Sequence, residues 1–84
     1  AVLLFNPTRA RWVSRETWHP QQVGKLQLDG SFRLEFPYSR EPELVMDVLK
    51  YGGDVQVLAP ESLRAAVLDQ LHSAAKHYDA APPG

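Results

Sequence analysis

The chain has 84 residues, 44% hydrophobic and 23% charged, with nine basic and ten acidic side chains and a net charge of −1. A chain this short buries only about 60–65% of its unfolded surface, so it builds one thin core, and its charge balance argues against a dedicated nucleic-acid binder, which is basic overall. Without cysteine it has neither disulfides nor thiolate metal sites, which fits a cytoplasmic protein, and no apolar run approaches the ~20 residues of a membrane span.

Charge is unevenly placed. Residues 1–20 carry Arg9, Arg11 and Arg15 against Glu16, a local excess of two positive charges; residues 21–84 carry six basic and nine acidic side chains. A basic patch near the first helix is therefore expected despite the acidic balance. Ala1 stands inside an apolar run with no initiator methionine or signal peptide, so the sequence reads as a piece of a longer protein.

Val2-Leu3-Leu4-Phe5 is a continuous apolar run, the pattern of a buried strand. Asn6-Pro7 ends it and opens a helix, with Asn6 as N-cap and proline at the first helical position. That helix is predicted to about Arg15, with Ala10 and Val13 on the buried side and Trp12 placed to stack on Arg9 or Arg15. Pro20 forbids continuation and biases His19 toward extended geometry. A strand follows from Gln22 to Leu28, with Gly24 as a bulge. Asp29-Gly30 predicts a two-residue type I′ hairpin. Phe32, Leu34 and Phe36 alternate with Arg33 and Glu35 as a half-buried strand that Pro37 closes.

Ser39 is the expected N-cap of the second helix, with Leu44, Val45, Val48 and Leu49 as its buried stripe. Gly52-Gly53 ends it, one glycine supplying the left-handed cap. Val55 and Val57 mark a short strand. Pro60 opens the last helix, predicted to about Tyr78 with the stripe Leu63, Val67, Leu71, Ala74 and Tyr78. Residues 80–84 read as a disordered tail.

The order β-α-β-β-α-β plus a C-terminal helix predicts an α+β, ferredoxin-like domain over residues 1–79. It has a four-stranded antiparallel sheet with two helices on one face. A first strand that is apolar on both faces needs cover on both. The third helix or a second subunit is expected to supply it.

Nothing in the sequence assembles a catalytic set. Asn6 and Arg9 after the first strand resemble the Asn/Arg pair of acylphosphatases, but the Gly-rich phosphate loop is missing. No Ser/His/Asp arrangement or Walker loop is present. His72, His77 and Asp69 fall short of the three or four converging ligands a zinc site needs, so neither metal nor cofactor is expected. The candidate sites are therefore recognition surfaces. Trp18, His19 and Gln22 form one, a loop that either anchors the helix-to-strand connection or lines a pocket. Arg9, Arg11 and Arg15 form the other, either a solvated helix face or an anion patch beside stacking indoles.

Several runs together resemble one bacterial module. They are Leu4-Phe5-Asn6-Pro7, Ala10-Arg11-Trp12-Val13, Trp18-His19-Pro20-Gln21-Gln22, Asp29-Gly30-Ser31 and the long run from Gly52 to Leu63, closed by Tyr78. The module is the WCX domain, the C-terminal extension of WYL-domain transcriptional regulators, and the resemblance spans residues 2 to about 78. It implies a non-catalytic domain that contributes to dimerisation and effector sensing, with upstream WYL and winged helix-turn-helix domains in the parent protein. It also implies that the WYL domain binds a nucleic-acid effector, single-stranded DNA in particular, at a site this extension completes from the partner subunit of a homodimer. Exchange of the C-terminal helix is one way to build that dimer. The fragment is not expected to bind operator DNA by itself. A ferredoxin-like small-molecule sensor is the alternative.

Overall fold

A computed structural model describes residues 1–79; the tail expected at 80–84 lies outside the described residues. The elements are β1 (Val2–Phe5), α1 (Pro7–Val13), β2 (Val23–Leu26), β3 (Phe32–Glu35), α2 (Glu41–Leu49), a 3₁₀ turn (Gly52–Asp54), β4 (Val55–Ala59) and α3 (Glu61–Asp79). The sheet order is β2-β3-β1-β4 with every neighbouring pair antiparallel. That is the ferredoxin-like arrangement, as the element order predicts.

Register explains which residues are buried. Leu3 pairs with Leu34 and Val57, and Phe5 with Phe32 and Val55, so these side chains share the inner face. Ala10 and Val13 of α1, Leu44, Val45 and Val48 of α2, and Leu63 and Val67 of α3 close over that face in one cluster with Phe36. The outer face carries Val2 and Leu4, flanked in register by Glu35, Arg33 and Gln56. Arg33 and Glu35 pair at 3.2 Å. Val2 and Leu4 are only half-buried there. Helix α3 does not supply the second cover expected for β1. It packs against α2 and β4 and joins the inner core.

Several local readings are corrected. Gly24 is not a bulge: the β2–β3 register runs unbroken through it, and the irregularity lies between β1 and β4 at Val2/Leu3. Gly24 is where the Phe32 ring crosses the strand, and a Cβ there would stand 2.4 Å from Phe32 Cζ. The hairpin turn is not type I′, which needs positive φ at both central residues. Only Gly30, at φ +91°, takes it, while Gly30 N–H donates to Gln27 O and Gln27 N–H to Ser31 O. The loop is thus one residue longer than expected, and the Asp29 carboxylate is used on Ser31 N–H at 2.9 Å. Ser39 does not cap α2: Arg40 occupies the N-cap, and its side chain makes no capping bond but pairs with Glu43 of the first turn at 3.1 Å. Helix α1 stops at Val13 and β2 at Leu26, both shorter than predicted.

The largest departure is in α3. At 19 residues it is roughly 28 Å long. Only Leu63 and Val67 are buried, and every residue from Leu68 to Asp79 is exposed. The stripe predicted to bury Leu71, Ala74 and Tyr78 runs past the end of the sheet. The radius of gyration, 14.3 Å, accordingly exceeds the about 12 Å of a compact chain of this length.

Candidate recognition surfaces

The connection from α1 to β2 is built around the amide of Gln22. Its Oε1 accepts from the backbone N–H groups of Trp18 and His19, and its Nε2 donates to the Glu16 carbonyl at 3.0 Å. Pro20 occupies the second position of a turn closed by Gln22 N–H donating to His19 O at 3.0 Å. The Gln21 N–H donates to His19 Nδ1 at 3.0 Å, which leaves the proton of a neutral imidazole on Nε2. Gln22 therefore spends both ends of its amide inside the loop and does not present a free polar edge.

Trp18 locks this loop onto the core. Its ring lies 5.7 Å from Phe5, 5.8 Å from Phe36 and 5.7 Å from Tyr51. Its Nε1–H donates to Glu16 Oε2 at 3.1 Å, and the Tyr51 hydroxyl donates to the same oxygen at 3.3 Å. Burial, then the negative charge of Glu16, pushes the Tyr51 hydroxyl above its ordinary pKa. Offset and edge-on aromatic contacts of this kind stabilise beyond the area they bury.

The three arginines part company. Arg9 donates from Nε to Asp54 Oδ2 at 2.9 Å and lies 5.7 Å from the Tyr51 ring centroid. Asn6, besides capping α1 by accepting from Arg9 N–H, donates from Nδ2 to Asp54 Oδ1 at 2.8 Å. Asn6 and Arg9 thus converge on a carboxylate of this chain, not on a phosphate. Together they pin the start of α1 to the start of β4. Arg11 and Arg15 stay exposed. Arg11, not Arg9 or Arg15, lies over Trp12, at 5.3 Å, and Trp12 is 56% exposed.

The Arg9 guanidinium, then the Asn6 amide, hold the Asp54 carboxyl below its ordinary value of 3.8. A depressed carboxyl pKa contributes stability that is present above 3.8 and lost as pH falls through the folded-state value. Thermal melts taken from pH 5 downward should show the native chain losing more stability below about pH 4 than its Asp54→Asn variant. Parallel curves would remove Asp54 from the acid response. Asp29, lowered by its Ser31 bonds, titrates in both proteins.

An open groove of about 510 Å³ borders the loop, lined by Trp18, His19 and Gln21 on one side and by residues 36–40, Glu43, Leu44 and Asp47 on the other. Trp18 and His19 reach it; Arg9, Arg11, Arg15 and Gln22 do not. Trp18 and His19 therefore line one surface, Arg11 and Arg15 stay exposed away from it, and Arg9 and Gln22 are engaged within the chain. Arg40, Glu43 and Asp47 of the groove escaped the sequence reading because they lie about 20 residues away in the chain and carry no motif. Among the described residues no cluster of three metal-ligating side chains occurs, and no helix is long and apolar enough to cross a membrane.

With this geometry in place, the relationship to known proteins is direct. Residues 1–75 match the WCX domain family. This chain is a WCX domain. Two proteins named Protein PafC, from Mycobacterium tuberculosis strains CDC 1551 / Oshkosh and ATCC 25618 / H37Rv, are each 42% identical to it over 83 residues. The match covers 99% of this WCX domain and 25% of each relative, so the chain spans about a quarter of their length. Membership agrees with the family resemblance carried by the Trp18–Gln22 loop and the segment from Gly52 to Leu63, and it assigns the chain to a transcriptional-regulator domain family.

Proposed function

We propose that this WCX domain is a non-catalytic, cytoplasmic regulatory domain of a bacterial transcriptional regulator, acting in dimerisation and effector sensing beside upstream WYL and helix-turn-helix domains. The observation that carries the reading is the family match over residues 1–75. Two features of the fold support its finer parts. The exposed half of α3, with Leu68 47% and Leu71 43% exposed, offers an apolar stripe to a second copy, by packing or by helix exchange. Arg11 stacked on the exposed Trp12, with Arg15 nearby on the chain, offers a guanidinium and an indole to a single-stranded nucleic acid. An effector bound across subunits would favour one dimer arrangement and so reposition the distant DNA-binding domains.

Sedimentation tests the first part: dimer at high concentration that Leu71→Glu abolishes supports it, and monomer throughout rejects it. Titration with short single-stranded oligonucleotides, read by tryptophan fluorescence, tests the second. Binding should weaken in Arg11→Ala and fall steeply between about 50 and 200 mM salt. The same flat trace for both proteins would remove direct nucleic-acid contact by this domain. The small-molecule alternative draws on the groove beside His19, whose volume of about 510 Å³ suits a metabolite. It predicts a thermal shift with one compound that salt does not weaken.

A further inference from the structure

The groove beside His19 continues past Trp18. A second open groove of about 460 Å³, lined by Glu16, Thr17, Trp18, Asp47, Lys50 and Tyr51, shares Trp18 and Asp47 with the first. The two form one trough with aromatic rings and three carboxylates, those of Glu16, Glu43 and Asp47. Its two long cations are already engaged within it: Arg40 meets Glu43 at 3.1 Å and Lys50 meets Asp47 at 3.5 Å. A phosphate entering here would face three carboxylates and would have to break those pairs first.

We infer that this trough receives an arginine side chain presented by a segment of a partner protein. The same aromatic cluster already seats one guanidinium. Arg9 lies against the Tyr51 ring with Asp54 as its carboxylate partner, at 5.7 and 2.9 Å. Trp18 and Tyr51, their rings 5.7 Å apart and tilted by 32°, repeat that combination of π-face and carboxylate with Glu16 and Asp47. Glu16 uses Oε2 for both the indole and the phenol, and among the described residues its Oε1 has no hydrogen-bond partner. Among the described residues Asp47 is held only by Lys50, an exposed pair at the end of α2 that solvent screens. An incoming guanidinium can displace that ammonium and bind the carboxylate in a fork that lysine cannot match.

The chain titrated with the peptide acetyl-Gly-Arg-Gly-Arg-Gly-amide, followed by NMR shifts of Trp18 and Asp47, tests this. Saturable shifts are expected, and the peptide with citrulline in place of both arginines should give none. Asp47→Asn should weaken binding about two- to fivefold, and Lys50→Ala should strengthen it by freeing the carboxylate. Both positions are exposed, so neither change threatens the core. The inference is overturned if the arginine peptide gives no shifts, if citrulline serves equally well, or if Lys50→Ala weakens binding. It is also overturned if only an oligothymidine shifts Trp18 and Asp47. It stands apart from the effector reading, because loss of oligonucleotide binding at Arg11 leaves the trough intact.

Discussion

Trp18→Ala lowers the stability of this domain by about 3 kcal/mol, the low end of the range for removing a packed Trp, since the ring is only partly buried. The indole touches Phe5, Phe36 and Tyr51 and donates to Glu16, so its loss leaves a void under the loop and removes one of the two donors to that carboxylate oxygen. For a domain of this size the melting temperature should fall by about 12–24 °C. Trp12→Ala serves as the control. That ring is 56% exposed with Arg11 as its partner, and its removal should cost less than about 0.5 kcal/mol. Trp18→Phe should recover much of the loss, keeping an aromatic ring in the cluster but lacking the Nε1 bond, about 1 kcal/mol, and part of the indole's packing. Calorimetry of the three variants checks the set. Equal melting temperatures for the two alanine variants would mean that Trp18 does not anchor the loop.

Leu63→Ala should cost about 3 kcal/mol and Leu71→Ala less than about 0.5 kcal/mol, although both lie on the predicted stripe of one helix. Leu63 is fully buried against the sheet, whereas Leu71 is 43% exposed beyond it. Urea denaturation at low protein concentration distinguishes them through the midpoint at constant slope. Comparable losses would show that α3 is packed along its whole length, in its own subunit or another. A Leu71 effect that appears only as concentration rises would instead support α3 as the dimer surface, because association stabilises by mass action.

Where interactions are local or periodic, the reading from sequence holds. Alternation in Phe32-Arg33-Leu34-Glu35-Phe36 set that strand's faces, and buried Leu44, Val45 and Val48 follow the helical spacing. The Asn6 cap was legible because its partner, Arg9 N–H, lies three residues away. Local misreadings came from rival chemistries of similar strength. Asp29 can turn a chain through its backbone or through its side chain, and here the side chain bonds Ser31. Gly24 serves a bulge or a close approach equally well, and only the position of Phe32 selects the second.

The candidate site was legible as residues but not as an arrangement. Trp18 was visible as an anchor or a pocket wall; its aromatic neighbours make it an anchor, and it also lines both grooves. Arg9 looked like a member of a cationic face until Asp54, 45 residues on, took its guanidinium. Gln22 looked like a contact residue until the loop's own backbone consumed its amide.

The sequence by itself determined the order of the elements, the inner-face residues of the sheet and the family. Each of these is written in spacings of two to four residues or in short motifs. Only the tertiary structure decided that Asn6 and Arg9 close on Asp54, that Glu16 joins Trp18 to Tyr51, and that half of α3 stands clear of the core. These depend on partners 35 to 48 residues apart and on where the sheet ends under a helix. Periodicity marks which face of a helix is apolar; it does not say how far the surface beneath that face extends.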